Sequence, residues 1–227
     1  MRADDTTVII PTLNEAGNIE EVLNNIKSGY PRIRIIVVDD GSTDGTRDIV
    51  LNTQDCWLID RSDKYIHGLT ISAIAGIFCV DRDYLIVMDG DGQHPTSPIS
   101  KVITQLRAGS DIVVCTRNKN GGLNMFRRCV SFGANFLGKL SLYLQSSPVP
   151  NDVVSGYFGI RTNLAKQYTK DYSKFKLRGY KILFDILKQM HKSTILSEVY
   201  YDFGIRETGS SKMGLNQIKL YFISLFK

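Results

Sequence analysis

The chain has 227 residues, 43% of them hydrophobic, enough to bury one sizeable core, so a single domain with C-terminal elaborations is expected rather than two independent ones. A formal net charge of +5 suits an anionic substrate or a membrane surface and is too small to point to nucleic acid. Cys56, Cys79, Cys115 and Cys129 form no CxxC pair, so neither a zinc site nor a disulfide framework is indicated.

The first five residues, MRADD, lack the basic region and apolar run of a secretory signal, and Val8 to Ile10 is too short to cross a bilayer, so a cytoplasmic protein is expected. Short β-branched runs then alternate with helix-like segments. Val8 to Ile10, Ile33 to Val38, Trp57 to Ile59, Tyr84 to Met88 and Asp111 to Cys115 are nearly continuous apolar runs, the pattern of parallel strands buried on both faces. Between them, Asn18 to Lys27, Thr46 to Thr53, Leu69 to Val80 and Pro98 to Ala108 have helical pattern and length. This βαβ repetition predicts an open, mostly parallel α/β sheet with helices on both faces. Ligands bind such sheets beyond the carboxyl ends of the strands, where PTLNEAGN, DDGSTDGT and DGDGQHP fall in succession.

The stretch DGDGQHP raises the sharpest chemical question. A calcium loop starting at Asp89 would need glycine in place of His94 and an acidic ligand in place of Ser100. A dinucleotide fingerprint begun at Gly90 meets Pro95 where its third glycine belongs, and no GxxxxGK[ST] loop is present. A hard-cation site at a strand end remains: Asp89, Asp91 and the amide oxygen of Gln93 can offer oxygen ligands to Mn2+ or Mg2+, with open positions for diphosphate oxygens. Taken alone, DGD is equally well explained as a solvated turn, since turns favour Asp and Gly.

Its surroundings change the balance. PTLNE after the first strand, VVDDGSTDGT after the second and MDGDGQHP after the fourth resemble family 2 glycosyltransferases of the GT-A (Rossmann-like) fold. DGDGQHP, Thr116-Arg117, FRRCVSFGAN, DVVSGYF, LRGYKILFDIL and RETGSSKMG, in that order, resemble the dolichol-phosphate mannose synthase group within them, and cover nearly the whole chain. The resemblance implies a nucleotide-sugar pocket of Pro11, Leu13, Glu15, Val38, Asp39 and Asp40, joined by Asp89, Gly90 and Asp91. It implies a metal and diphosphate site at Asp89, Asp91 and Gln93, with Asp91, Arg117, Arg206 and Lys212 as the catalytic set. Two departures stand out: Leu13 replaces a common aromatic residue, and HGLTISA replaces the usual GLGTA pattern.

The implied reaction is an inverting, metal-dependent transfer of a hexose, mannose from GDP-mannose first and glucose from UDP-glucose second, to dolichyl or polyprenyl phosphate. Hydroxyl-directed relatives carry a late ED pair whose aspartate is the general base, and Ser155 to Lys212 contains none. A phosphate monoester, with a second pKa of about 6, needs no such base. One rival is a transferase acting on a soluble glycan or protein hydroxyl with Asp152 or Asp185 as base; another is a non-catalytic nucleotide-sugar-binding or lipid-binding subunit, which the complete Asp89, Asp91 and Gln93 set argues against.

Leu123, Phe126, Val130, Gly133, Leu137, Leu140 and Leu144 recur at intervals of three and four, flanked by Arg127, Arg128 and Lys139, so residues 123–144 are expected to form an amphipathic helix. Packing on the core, a dimer seam and a membrane interface all fit that pattern; the family resemblance favours the membrane, placing the protein peripherally on a cytoplasmic face, the endoplasmic reticulum in a eukaryote or the plasma membrane in a prokaryote. The apolar run at 215–227 is expected to be helical and is too short to span alone. It can dock on the membrane, bind a small membrane-anchoring partner subunit or pack on the domain.

Overall fold

Strands that are apolar at successive positions need cover on both faces, and the chain supplies it with helices alternating between the strands. The structure, a computed structural model, describes residues 3–118, 125–179 and 181–204, with residues 125–132 described in their backbone alone. In chain order the elements are β1 (Thr6–Thr12), α1 (Ile19–Gly29), β2 (Arg34–Asp39), α2 (Thr46–Asn52), β3 (Cys56–Asp60), α3 (Leu69–Phe78), β4 (Tyr84–Val87), α4 (Pro98–Arg107) and β5 (Ile112–Arg117). There follow α5 (Met125–Leu144), β6 (Phe158–Arg161), α6 (Thr162–Thr169), α7 (Ile182–Leu187) and β7 (Leu196–Tyr201).

The strands form one seven-stranded sheet in the order β3-β2-β1-β4-β6-β5-β7. Strand β1 pairs in parallel with both β2 and β4, β2 with β3, and β5 with β7, while β6 runs antiparallel between β4 and β5. Alternate strand residues serve opposite faces. Val8, Ile10, Ile35, Val37 and Ile86 pack with α1 and α4, whereas Ile9, Ile36, Val38, Leu85 and Val87 pack with α3 and α7. Helix α3 lies so close that a Cβ on Gly76 would sit 2.6 Å from Cγ2 of Ile9, so only glycine allows that approach.

From β1 the chain moves out to β2 and β3, then crosses back to place β4 on the other side of β1. The crevice between the carboxyl ends of β1 and β4 is therefore the topological switch point, where ligands of such sheets bind. PTLNE and DGDGQHP leave β1 and β4 at this point.

The five expected strands and four expected helices are all present, with small shifts: β1 is longer at both ends, β5 runs on to Arg117, and α3 ends at Phe78 rather than Val80. The late elements β6, α6, α7 and β7 were not foreseen. Helix α5 occupies 125–144 of the amphipathic segment, and 215–227 lies outside the described residues. Among the described residues no helix is long and apolar enough to cross a membrane.

Candidate active site

Polar side chains stitch the first two loops together. Ser42 Oγ accepts the Asn14 N–H at 2.8 Å, Thr46 Oγ1 accepts the Glu15 N–H at 2.9 Å, and Asn14 Oδ1 accepts the Thr43 N–H at 2.8 Å. Asp39 is the knot: its fully buried carboxylate accepts from the Thr12 hydroxyl at 2.9 Å and from the Ser42 N–H and hydroxyl at 2.8 and 2.5 Å. Asp40 organises the next loop, accepting from Arg61 Nε at 3.2 Å and from the Gly68 N–H at 2.6 Å. Gly68 meets the required geometry with φ of 149°, and a Cβ there would lie 2.6 Å from the Arg178 Cα.

Above the switch point lies a cavity of about 340 Å³. Of the residues expected from sequence, it is lined by Pro11, Leu13, Glu15, Asp40, Asp89, Gly90, Asp91, Gln93 and Arg117. Val38 and Asp39 stand behind this wall, Val38 in the core beneath α3 and Asp39 in the loop knot. Arg206 and Lys212 lie outside the described residues. The two aspartates considered as alternative bases are otherwise engaged: Asp152 is paired with Arg117, and buried Asp185 accepts the Lys176 N–H at 3.2 Å and pairs with Lys188 at 3.5 Å, away from the cavity lining.

The cavity lining carries both signs of charge: the carboxylates of Glu15, Asp40, Asp89 and Asp91, and the cations Arg117, Arg178 and Lys181. Arg117 donates from Nε to Asp152 Oδ2 at 2.7 Å and lies over the Phe203 ring at 5.5 Å. Burial works against its charge, yet the Asp152 carboxylate outweighs burial and leaves its pKa raised. Lys181 donates to the Val154 carbonyl at 2.9 Å. Burial first, and the nearby Arg117 second, lower its pKa to about 7, against the opposing pull of Asp152 and Asp89.

His94 sits beneath the acidic loop. Its Nδ1 accepts the Asp89 N–H at 3.0 Å, so the ring proton belongs on Nε2, 3.8 Å from Asp89 Oδ2. The ring stacks on Tyr157 at 5.1 Å and meets Tyr201 and Phe203 edge-on. Burial lowers its pKa to about 4 even though Asp91 pulls the other way, so it is a neutral prop for the loop at pH 7.

Among the described residues no group of three or more His, Cys, Asp or Glu side chains is arranged to hold an ion unaided. The donors still fit a hard cation, because such an ion needs only one or two protein carboxylates when substrate phosphates complete its shell. Asp89 and Asp91 line the cavity and supply them. Gln93 is partly committed elsewhere: its Nε2 donates to the Gly204 carbonyl at 3.1 Å, and its own carbonyl accepts the Gly204 N–H at 2.9 Å. The carboxamide oxygen is the group it retains for an ion.

An α/β domain with carboxylates and cations gathered in one cavity over its switch point has the charges that phosphate groups and a cation require. The chain belongs to glycosyl transferase family 2, whose model matches residues 7–169. It is 32% identical to a dolichol-phosphate mannosyltransferase of Pyrococcus furiosus, over 97% of this chain and 62% of that protein. It is 30% identical to a polyprenol monophosphomannose synthase of Mycolicibacterium smegmatis, over 94% of this chain and 83% of that one. Among solved structures, glucosyl-3-phosphoglycerate synthase of Mycobacterium tuberculosis, in complex with Mn2+, UDP and glucosyl-3-phosphoglycerate, superposes with a TM-score of 0.74 at 17% identity, covering 99% of this chain and 79% of its own. The fold is thus GT-A.

Arg178, Lys181, Gly156 and His94 are among the lining residues that sequence reasoning missed. Gly156 lies within DVVSGYF, Arg178 and Lys181 within LRGYKILFDIL and His94 within DGDGQHP, so a signal existed for the segments though not for the individual residues' roles.

Proposed function

We propose that the chain transfers a hexose from a nucleotide sugar to a polyprenyl phosphate, with inversion at the anomeric carbon and a divalent cation as cofactor. The observation that carries this reading is a cavity lined by both carboxylates and cations, with neither Asp152 nor Asp185 placed as a base. A dianionic phosphate acceptor needs no proton removed. Its oxygen attacks the anomeric carbon, the new carbon–oxygen bond forms, and the bond to the donor diphosphate breaks with its electron pair leaving on the nucleoside diphosphate. Arg117 and Lys181 offset repulsion between the two anions, Arg as a fork and Lys as a point charge; the family resemblance adds Arg206 and Lys212. Bound Mn2+ or Mg2+, held by Asp89 and Asp91 with the Gln93 oxygen, supplies positive charge to the departing diphosphate.

Mannose is favoured because two relatives are named for mannosyl transfer, GDP is carried over from the family resemblance, and the Mn2+ and UDP in a structural neighbour's complex support a nucleoside diphosphate with a cation on this fold. Membrane placement is supported by α5, which exposes Phe136, Leu137, Leu140, Tyr143 and Leu144 along one face; an apolar stripe beside Lys139 suits the interface in front of a lipid phosphate. In this reading the chain lies peripherally on the cytoplasmic face of that membrane. The test is purified protein with a panel of nucleotide sugars, Mn2+ or Mg2+, and a short polyprenyl phosphate. A mannosyl lipid from GDP-mannose is expected; a glucosyl lipid from UDP-glucose would change the donor, and absence of any lipid-linked sugar with every donor and both metals would overturn the proposal.

A further inference from the structure

The last residue of FRRCVSFGAN, Asn135, touches neither the cavity nor the apolar face of α5, yet it is bonded on both sides of the residue that holds Arg117. Its Nδ2 donates to the Asn151 carbonyl at 2.7 Å and its Oδ1 accepts the Val153 N–H at 3.0 Å. Asp152 lies between these two backbone groups and grips Arg117 through Nε at 2.7 Å and an η-nitrogen at 3.3 Å. One helical turn on, Lys139 reaches the Asn151 carboxamide oxygen at 3.4 Å, and that carboxamide donates to Glu198 at 3.0 Å and to the Tyr200 hydroxyl at 2.8 Å. Glu198 in turn accepts from Thr116, the neighbour of Arg117, at 2.5 Å.

We infer that Asn135 is a positioning residue for Arg117: it fixes the backbone on either side of Asp152 and so makes the seating of α5 and the aim of the phosphate-facing guanidinium one mechanical unit. A carboxamide offers one acceptor and two donors in a fixed plane, which suits bracketing a peptide segment. A charged side chain holds a bidentate geometry only when its partner is itself immobile. Because Phe136 and Leu137 follow Asn135 directly on the exposed face, any surface that seats α5 also steadies Asp152. The functional half of this inference rests on the acceptor-phosphate reading above; the structural half does not.

Two measurements on Asn135→Ala and Asn135→Asp separate the halves. The aspartate keeps the acceptor for the Val153 N–H and loses the donor to Asn151, so it serves as the milder variant and as the working one if the alanine variant does not fold. The first measurement is the NMR signal of the Arg117 Nε–H, assigned by its loss in Arg117→Lys. In wild type it should be slowly exchanging; in either folded variant it should shift and exchange about tenfold faster, more so in the alanine. An unchanged signal in a folded variant overturns the inference whatever the enzyme's substrate. The second is steady-state kinetics with polyprenyl phosphate beside donor calorimetry: acceptor KM should rise about tenfold, the effect of losing a pair of modest hydrogen bonds, with donor Kd within twofold. A fall in kcat alone, or equal losses in donor and acceptor binding, contradicts the assignment. Wild type inactive with every polyprenyl phosphate would instead sink the proposed function and leave the NMR result standing.

Discussion

Replacing Gly156 by alanine should damage catalysis without damaging the fold. An added Cβ would lie 2.9 Å from Asp89 Oδ2 and 3.3 Å from Oδ1, where ordinary contact starts at 3.4 Å. The carboxylate must therefore retreat by about half an ångström. Gly156 is not among the glycines at positive φ, and the atom it crowds is the end of a movable side chain, so the cost in stability should stay within about 1 kcal/mol. Catalysis is less forgiving. A misplacement of about 1 Å in a reacting constellation costs on the order of a hundredfold, so half that displacement should cost roughly tenfold in kcat/KM. If Asp89 holds the cation, the metal concentration for half activation should rise in step. Rates titrated with Mn2+ and Mg2+, beside thermal melts, test this, with Gly29→Ala as control because its new Cβ would meet nothing within 4 Å. A folded Gly156→Ala enzyme with wild-type kcat/KM and wild-type metal activation would refute the assignment of Asp89.

Other expectations bear on neighbouring parts of the site. Asp91→Ala should abolish turnover and leave the melting transition close to wild type, since a carboxylate at the cavity wall contributes little packing; a metal-controlled assay showing equal activity would remove the cation site. Asp39→Ala should instead lower stability by about 2 to 4 kcal/mol in urea titration, because it strips the buried Thr12 and Ser42 donors of their acceptor. His94, lowered to about 4 chiefly by burial, holds fewer protons folded than unfolded between about 4 and its ordinary 6.5. Stability should therefore fall as pH drops through that window, by on the order of 3 kcal/mol in all, and stay flat above it. His94→Phe should lose that component, so parallel stability curves for the two proteins from pH 7 to 4 would contradict a buried neutral imidazole.

The first half of the chain was readable because its physics is local. Parallel strands covered on both faces are continuous apolar runs, and β1 to β5 announce themselves in that way. The loops that follow them were readable for a related reason: topology sends carboxyl ends to one edge, so PTLNE and DGDGQHP had to meet. What local pattern does not carry is distance. Asp39 and Asp40 are adjacent carboxylates in one motif, yet Asp39 is tied into the loop knot while Asp40 lines the cavity. Strand β6 has four residues and α7 six, too short for a period to show. His94 is held neutral by Tyr157, Tyr201 and Phe203, all distant in sequence. Arg178 joins the lining because Leu177 and Arg178 pass over Gly68, whose missing side chain makes room for them, and Lys181 joins it from the N-cap of α7.

The cations lining the cavity are accommodated in two different ways. Two cations beside each other at a partly buried wall repel, and burial penalises both. Arg117 cannot shed its proton, and Asp152 compensates it with a bidentate grip. Lys181 donates to the neutral Val154 carbonyl at 2.9 Å, and burial, with Arg117 beside it, brings its pKa down to about 7. An arriving phosphate reverses the balance at Lys181, since an adjacent anion favours the charged ammonium. The carboxylates of Asp89 and Asp91 in the same lining would repel that phosphate, and a cation held by them would turn the repulsion into attraction. The two sets of charges thus suit different ligands in one cavity: an anion that meets arginine and lysine directly, and a second anion that would reach the aspartates through a metal. A phosphate acceptor and a nucleoside-diphosphate donor satisfy both conditions together.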